Sequence, residues 1–209
     1  MANKNSILTS SISTITEEEV VDAQIAWGEG IVRIGEIFIE KFDPKFKAIQ
    51  ADTTLTKEQR KAALAKARLE ATLEARPEAE IAAREHINTY YGYDISLVLF
   101  KPTLASEHQF RNTFDAALSY FIGGNPAYKE DKGFALTPWT AVAWENVGII
   151  NSQTNMAIAM GNYYFTPKYP NDEGKIEITK VEYTFGYVKD VSGNVRVIVH
   201  KSSLPFKPE

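Results

Sequence analysis

The chain of 209 residues contains no cysteine. That absence excludes disulfides, thiolate nucleophiles, iron–sulfur clusters and cysteine-ligated zinc, and it accords with a reducing compartment. Histidine is almost as scarce: His86, His108 and His200 fall on what read as a helix, a helix start and a strand end. No two of them have ligand spacing, so a three-histidine zinc site would have to be assembled by folding alone. No apolar run approaches the roughly 18 residues that span a bilayer. Met1 to Thr14 is polar and rich in Ser and Thr, unlike a signal peptide. An excess of positive charge is missing too. The formal net charge is −4, and Lys and Arg are dispersed among acids, which leaves no footprint for nucleic acid or an anionic membrane. The expectation is a cytoplasmic protein with neither partner. Walker-type glycine loops, H-E-x-x-H and G-x-S-x-G are also absent.

What is present suits one globular domain: 44% of the residues are hydrophobic and 24% charged, an ordinary balance. Thr16 with Glu19 reads as a capping box. Val20, Trp27, Ile31, Ile34 and Phe38 then recur at helical spacing, predicting an amphipathic helix from Thr16 to about Glu40. Gly28 and Gly30 fall inside that pattern and read as close-packing positions. A second helical run covers Thr56 to Ala75, with Pro77 expected to interrupt it and helix resuming from Glu78 to about Tyr90. Its first part reads as an exposed helix laced with ion pairs, or as an arm for oligomer contact.

Tyr93 to Lys101 reads as a strand ending at Pro102. Ser106 is expected to cap a short helix through Phe110, Phe114, Leu118 and Phe121, stopped by Gly123-Gly124. Four β-rich runs follow: Trp139–Ile149, Ala157–Thr166, Lys175–Tyr187 and Val195–Ser203. Turn signals at Pro170–Gly174 and Asp190–Asn194 join the last three runs as two consecutive hairpins sharing the middle strand. Helices first and a meander after give an α+β fold. The long helix can lie across the concave face of a strongly curved antiparallel sheet, forming a cone-shaped barrel with a closed pocket. The domain reading is residues 1–15 as a disordered or extended N-terminus and residues 16–209 as one α+β barrel domain, with a charged helical insert near 50–78.

Polar residues in apolar surroundings are the site candidates. His200-Lys201-Ser202-Ser203 ends an apolar strand, and alternation puts Arg196, Ile198, His200 and Ser202 on one face and Lys201 and Ser203 on the other. Thr103 follows Leu97-Val98-Leu99-Phe100-Lys101-Pro102, and Tyr120 lies in Leu118-Ser119-Tyr120-Phe121 near a helix end. A frayed strand end, a turn threonine and a core tyrosine would account for them equally well. Glu145 and Glu182, on strands, leave carboxylate metal binding open.

Several segments together resemble the iota-class carbonic anhydrases: Tyr91-Gly92-Tyr93-Asp94-Ile95 running into Leu97-Val98-Leu99-Phe100-Lys101-Pro102-Thr103, Ala117 to Gly124, Asp131-Lys132-Gly133-Phe134-Ala135, Pro138-Trp139, Gly161-Asn162-Tyr163-Tyr164-Phe165, Val181 to Tyr187 and the C-terminal motif. The resemblance runs from about Thr16 to Pro205, apart from the charged insert. That domain is similar to the association domain of calmodulin-dependent protein kinase and to polyketide-cyclase-like and nuclear-transport-factor-like barrels. The family signature His-His-Ser-Ser is His200-Lys201-Ser202-Ser203 in this chain, so the second histidine is absent. Some members are metal-dependent and others, mainly bacterial and algal, metal-free. Three scattered histidines and no cysteine put this chain nearer the metal-free group, with zinc or manganese left open.

The resemblance implies reversible hydration of carbon dioxide to bicarbonate by a homodimer. Thr103, Tyr120 and one serine of the motif would bind bicarbonate and position water. Ser202 is favoured for sharing a face with His200, while Ser203 stays open. His200 is the candidate proton acceptor. Two other functions stay open for such a fold: a non-catalytic association module, and a small-molecule isomerase or cyclase, for which Asp115 would be the base.

Overall fold

A computed structural model describes residues 14–151 and 155–208. Residues 1–13, to which most of the N-terminal expectation refers, lie outside that range. Helix α1 runs Glu17–Ala51 and α2 runs Lys57–Tyr90. The strands are β1 (Leu99–Lys101), β2 (Trp139–Asn151), β3 (Met156–Pro167), β4 (Thr179–Lys189) and β5 (Val195–Ser203), with α3 (Phe114–Ile122) between β1 and β2. The fold is α+β. Its single mixed sheet has the order β1-β5-β4-β3-β2, antiparallel except where β1 runs parallel to β5. The edge strands β1 and β2 do not pair with each other, so the sheet is open.

The capping box forms as expected. Thr16 Oγ1 accepts from the Glu19 amide at 3.1 Å, and the Glu19 carboxylate accepts from the Thr16 amide at 2.9 Å. Helix α1 outruns its expected end near Glu40, while α2 ends at Tyr90 as expected but lacks the expected break. Helix α1 passes through Pro44 because Phe38, Phe42 and Phe46 form an aromatic row against Tyr169, with Arg68 over the first two rings. Helix α2 passes through Pro77 without a break. A stripe of Ala67, Ala71, Ala75, Ala79 and Ala83, all buried, lets it approach α1 closely. Packing over that length outweighs the roughly 3 kcal/mol a mid-helix proline costs. The charged face carries ion pairs within α2 (Arg84–Glu80) and across to α1 (Lys45 to Glu70 and Glu74).

Two expectations between β1 and α3 are corrected. The strand over Tyr93–Lys101 shortens to Leu99–Lys101, and the helix expected from Ser106 begins only at Phe114, capped by Thr113. The Glu130 carboxylate captures Ser106 instead. It accepts from the Ser106 amide (2.7 Å) and hydroxyl (2.8 Å) and from the Glu107 and His108 amides (2.9 Å each). These donors hold Glu130 well below the usual carboxylate range, and they fix residues 106–108 as a loop.

In β5 the alternation also changes. Gly186 faces Val199 while Tyr187 faces Val197, a bulge at Ile198. Val197, rather than Arg196 and Ile198, therefore shares the buried face with His200 and Ser202. Arg196 is instead held by Asp94, Asp190 and the Asn88 and Tyr91 carbonyls.

Candidate functional site

The parallel pairing of β1 with β5 creates the site. Phe100 stands opposite His200 and Lys101 opposite Lys201, so the chain turning at the buried Pro102 brings Thr103 to Ser202. Thr103 Oγ1 donates to Ser202 Oγ at 2.8 Å. Tyr120, near the C-terminal end of α3, completes one wall. Thr103, Tyr120, His200 and Ser202 line a cavity of about 310 Å³ whose other walls include Trp27, Phe100, Phe121, Phe134, Phe165 and Val181. Four of the expected residues thus meet in one apolar chamber. Leu104 and Leu204, both largely exposed, also line it.

Ser203 does not join them. It lies on the other face of β5, donating to the Glu182 carboxylate at 3.0 Å and accepting from Lys201 Nζ at 2.6 Å. Of the two serines, Ser202 is the one that lines the chamber.

A buried polar brace holds α3 beside the loop that follows Thr103. Arg111 pairs with Asp131 at 2.7 Å and donates to the His108 carbonyl, while Asp131 accepts from Ser119 Oγ at 2.6 Å. Removing one partner from such a brace strands the others in the interior.

Electrostatically the chamber is neutral. Burial pushes the Tyr120 phenol up to about 12 and lowers His200 to about 3. Tyr163, in the wall, is likewise raised by burial. The His200 ring is sandwiched between Phe100 (centroids 4.5 Å apart) and Phe185 (4.1 Å). Its edges meet phenols: Nδ1 lies 2.8 Å from Tyr91 Oη, and Nε2 lies 3.4 Å from Tyr163 Oη. Trp27 packs edge-on against His86, Tyr163 and His200.

The other candidates lie elsewhere. His108 is on the surface. His86 is buried in α2 with neither ring nitrogen hydrogen-bonded, its Nδ1 only 2.2 Å from where a Cβ on Gly30 would stand. That approach is why α1 tolerates glycine there, as expected of a close-packing position. Asp115, the base suggested for an isomerase, is exposed in the first turn of α3, outside the chamber. Glu145 accepts from Tyr164 and Asn162 on the outer sheet face. Among the described residues no group of three or more His, Cys, Asp or Glu side chains is placed to hold a metal ion, and no helix is long and apolar enough to cross a membrane. Tyr163, Tyr91 and Trp27 carried no individual signal in the sequence, since each reads as an ordinary core aromatic.

An apolar chamber lined by hydroxyls, Thr103, Tyr120 and Ser202 among them, and by no carboxylate, lysine or arginine side chain suits a small neutral substrate held by hydrogen bonds. A family profile described as metal-independent carbonic anhydrase matches residues 53–204, and the chain belongs to that family. The match takes in most of the charged segment near 50–78. The metal-independent carbonic anhydrase of Nostoc sp. (strain PCC 7120 / SAG 25.82 / UTEX 2576) is 38% identical over 206 residues, 95% of this chain and 81% of that protein. The crystal structure of an iota-carbonic anhydrase from a cyanobacterium, complexed with bicarbonate, superposes with a TM-score of 0.70 at 37% identity, covering 93% of this chain and 95% of that one. A calcium/calmodulin-dependent protein kinase II association domain from Xanthomonas campestris has 21% identity and a TM-score of 0.43 over 68% of this chain and 89% of that one, too distant to bear on function.

Proposed function

We propose that the chamber carries out the reversible hydration of carbon dioxide to bicarbonate without a metal, using Thr103, Tyr120 and Ser202 as the reacting and binding hydroxyls. The observation that carries this reading is the Thr103–Ser202 hydrogen bond inside an apolar cavity also lined by Tyr120. Apolar walls suit neutral carbon dioxide, and hydroxyls both donate and accept.

The directions of the hydrogen bonds divide the labour. Thr103 commits its proton to Ser202, so its lone pairs are free to accept from a water. Ser202, accepting from Thr103, has its own proton for a substrate oxygen. The Leu104 backbone hydrogen-bonds the Tyr120 phenol oxygen, which leaves the phenol proton for the second substrate oxygen. Water, with a pKa of about 15.7 in bulk, need not become free hydroxide here. As its oxygen bonds to carbon, its proton passes to Thr103, the Thr103 proton to Ser202, and the Ser202 proton to an oxygen of carbon dioxide. The product is carbonic acid, which ionises to bicarbonate on release. Every intermediate group stays neutral, as a low-dielectric chamber favours. His200, held neutral by burial, is a weak base and acts in this scheme behind Ser202. Bicarbonate bound in the cyanobacterial structural relative supports the same chamber as its seat here.

The finer architecture follows the same reading. Residues 16–209 form one unit, with the segment near 50–78 as a charged arm and the open sheet as a cone about the chamber. A second copy covers the outer sheet face, which presents Ile150, Ile158, Gly186, Val199 and Leu99 as one cross-strand row over all five strands. Met160 adds to that face, and Ile150, Ile158, Met160 and Leu99 are exposed in the single chain, a patch of the kind that marks an interface. The cytoplasm is the compartment a cysteine-free chain suits.

The deciding experiment is stopped-flow carbon dioxide hydration on protein stripped with a strong chelator and checked for metals by mass spectrometry. Full activity is expected. Activity that disappears on stripping and returns with zinc or manganese would overturn the metal-free reading, and inactivity in both states would overturn the enzymatic one.

A further inference from the structure

The chamber is far larger than carbon dioxide and one water require. Its volume of about 310 Å³ compares with a share of about 30 Å³ for each molecule in liquid water. An apolar cavity of about 150 Å³ already admits benzene. The surplus has a direction. The hydroxyls stand at one end, where Thr103 meets Ser202 of β5. The lining then crosses the sheet through Val181 and Thr179 on β4 and Phe165 on β3 to Trp139 on β2. From β5 to β2 is three inter-strand steps, about 14 Å at about 4.8 Å each.

The far end is an aromatic annex. Thr179 pairs with Phe165, and the Phe165 ring lies 5.2 Å from Trp139 and 5.3 Å from Phe134. Tyr120 links the two ends: it lines the chamber with the other hydroxyls, and its ring stacks on Phe134 at 5.8 Å. Ring centroids at such spacings, edge-on or offset, are the arrangement in which aromatic groups attract. No Lys, Arg, Asp or Glu side chain lines the chamber, so a charged ligand would be buried unpaired, at a heavy cost. The annex therefore selects an uncharged ring. The relay at the other end needs an electrophilic carbonyl carbon and one oxygen to receive the Ser202 proton. An aldehyde offers both, with a hydrogen on carbon that leaves the approach of water open.

We infer that the chamber also binds small aromatic aldehydes, ring against Phe165 and Trp139 and carbonyl at Thr103 and Ser202, and hydrates them reversibly to gem-diols. A bond forms between the water oxygen and the carbonyl carbon as the C=O π bond breaks. The water proton passes to Thr103, the Thr103 proton to Ser202 and the Ser202 proton to the carbonyl oxygen, with no change of oxidation state. The catalytic half of this inference rests on the relay proposed for carbon dioxide; the binding half does not.

Benzaldehyde in oxygen-18 water tests it, because each hydration and return can replace the carbonyl oxygen by one from solvent, read by mass spectrometry. The wild-type protein should speed that exchange about tenfold or more over buffer, and benzaldehyde should inhibit carbon dioxide hydration competitively. Thr103→Val and Ser202→Ala should lose exchange in proportion to their loss of hydration. Thr179→Phe replaces a half-buried side chain of the annex with a ring. It should cut the exchange about tenfold, the scale on which pocket shape discriminates, and keep carbon dioxide hydration within about twofold. No exchange by a protein that hydrates carbon dioxide would overturn the inference and leave the hydration reading intact. Exchange that survives Thr103→Val would assign it to surface lysines and overturn the inference, as would exchange unchanged in Thr179→Phe. If Thr179→Phe does not fold, the competition decides: its absence overturns the inference. Exchange by a protein inactive toward carbon dioxide would strike down the hydration reading and support this one, and inactivity toward both would overturn both.

Discussion

Thr103 Oγ1 and Ser202 Oγ lie 2.8 Å apart although 99 positions of sequence separate them. One is in the loop after an edge strand and the other near the end of the last strand. Their meeting depends on the one parallel pairing in the sheet, β1 along β5. The proposed chemistry depends on this junction, and so do the mutational predictions.

Removing either hydroxyl breaks the same relay. Thr103→Val and Ser202→Ala should each lower kcat/KM for hydration by about 10²–10³, the cost of losing one aligned donor. The double variant should be scarcely worse than either single one, because members of a unit are not additive. Ser203→Ala should stay within about twofold of wild type, as its partners are Glu182 and Lys201 on the outer face. Stopped-flow kinetics on the four proteins checks this. Strong loss in S203A would move the site to the wrong side of β5.

The pH profile should be featureless where a titrating nucleophile would show a step. His200 titrates at about 3 and Tyr120 at about 12, so neither changes charge between pH 5 and 10. Initial hydration rates should be flat over that range within about twofold. A sigmoid with a midpoint near 7, as a metal-bound water produces, would contradict the neutral relay.

Acid should destabilise the fold before the carboxylates titrate. His86 and His200 each sit at about 3 when folded, against about 6.5 in an unfolded chain. The unfolded chain takes up the protons first, so stability present above pH 6.5 is lost as pH falls toward 3. Each histidine adds up to about 1.4 kcal/mol per pH unit to that slope. Thermal unfolding at pH 7 and pH 5 should show a clear fall in Tm. His86→Leu should roughly halve the fall, since neither nitrogen of His86 has a hydrogen-bond partner to lose. Equal Tm at both pH values would refute the assignment.

The outer sheet face offers an independent check. Ile158→Lys with Met160→Glu places charges in the exposed apolar row without touching the chamber. Light scattering should find the wild type as a dimer and the variant as a monomer with its circular dichroism unchanged. A variant that remains dimeric would place the contact elsewhere.

Much of this architecture was legible from local chemistry. The capping box at Thr16 and Glu19, the helical period of α1, the turn residues separating β3, β4 and β5, and the close-packing role of Gly30 are properties of neighbouring residues, which sequence order preserves. The errors came where distant groups intervened. Ser106 has the chemistry of a helix cap, but the carboxylate of Glu130, 24 positions away, binds it first. Pro77 has the chemistry of a helix breaker, but a column of alanines packed on α1 carries the helix through it.

By itself the sequence determined the class of fold, the absence of cysteine chemistry and the small set of polar residues worth suspecting, because composition, periodicity and capping act over a few residues. Only the tertiary structure decided which serine faces the chamber, that Thr103 donates to it, and that Tyr91 and Tyr163 stand on either side of His200. Those outcomes turn on strand register, on one parallel pairing and on burial, and each joins side chains too far apart in the chain for any local pattern to record.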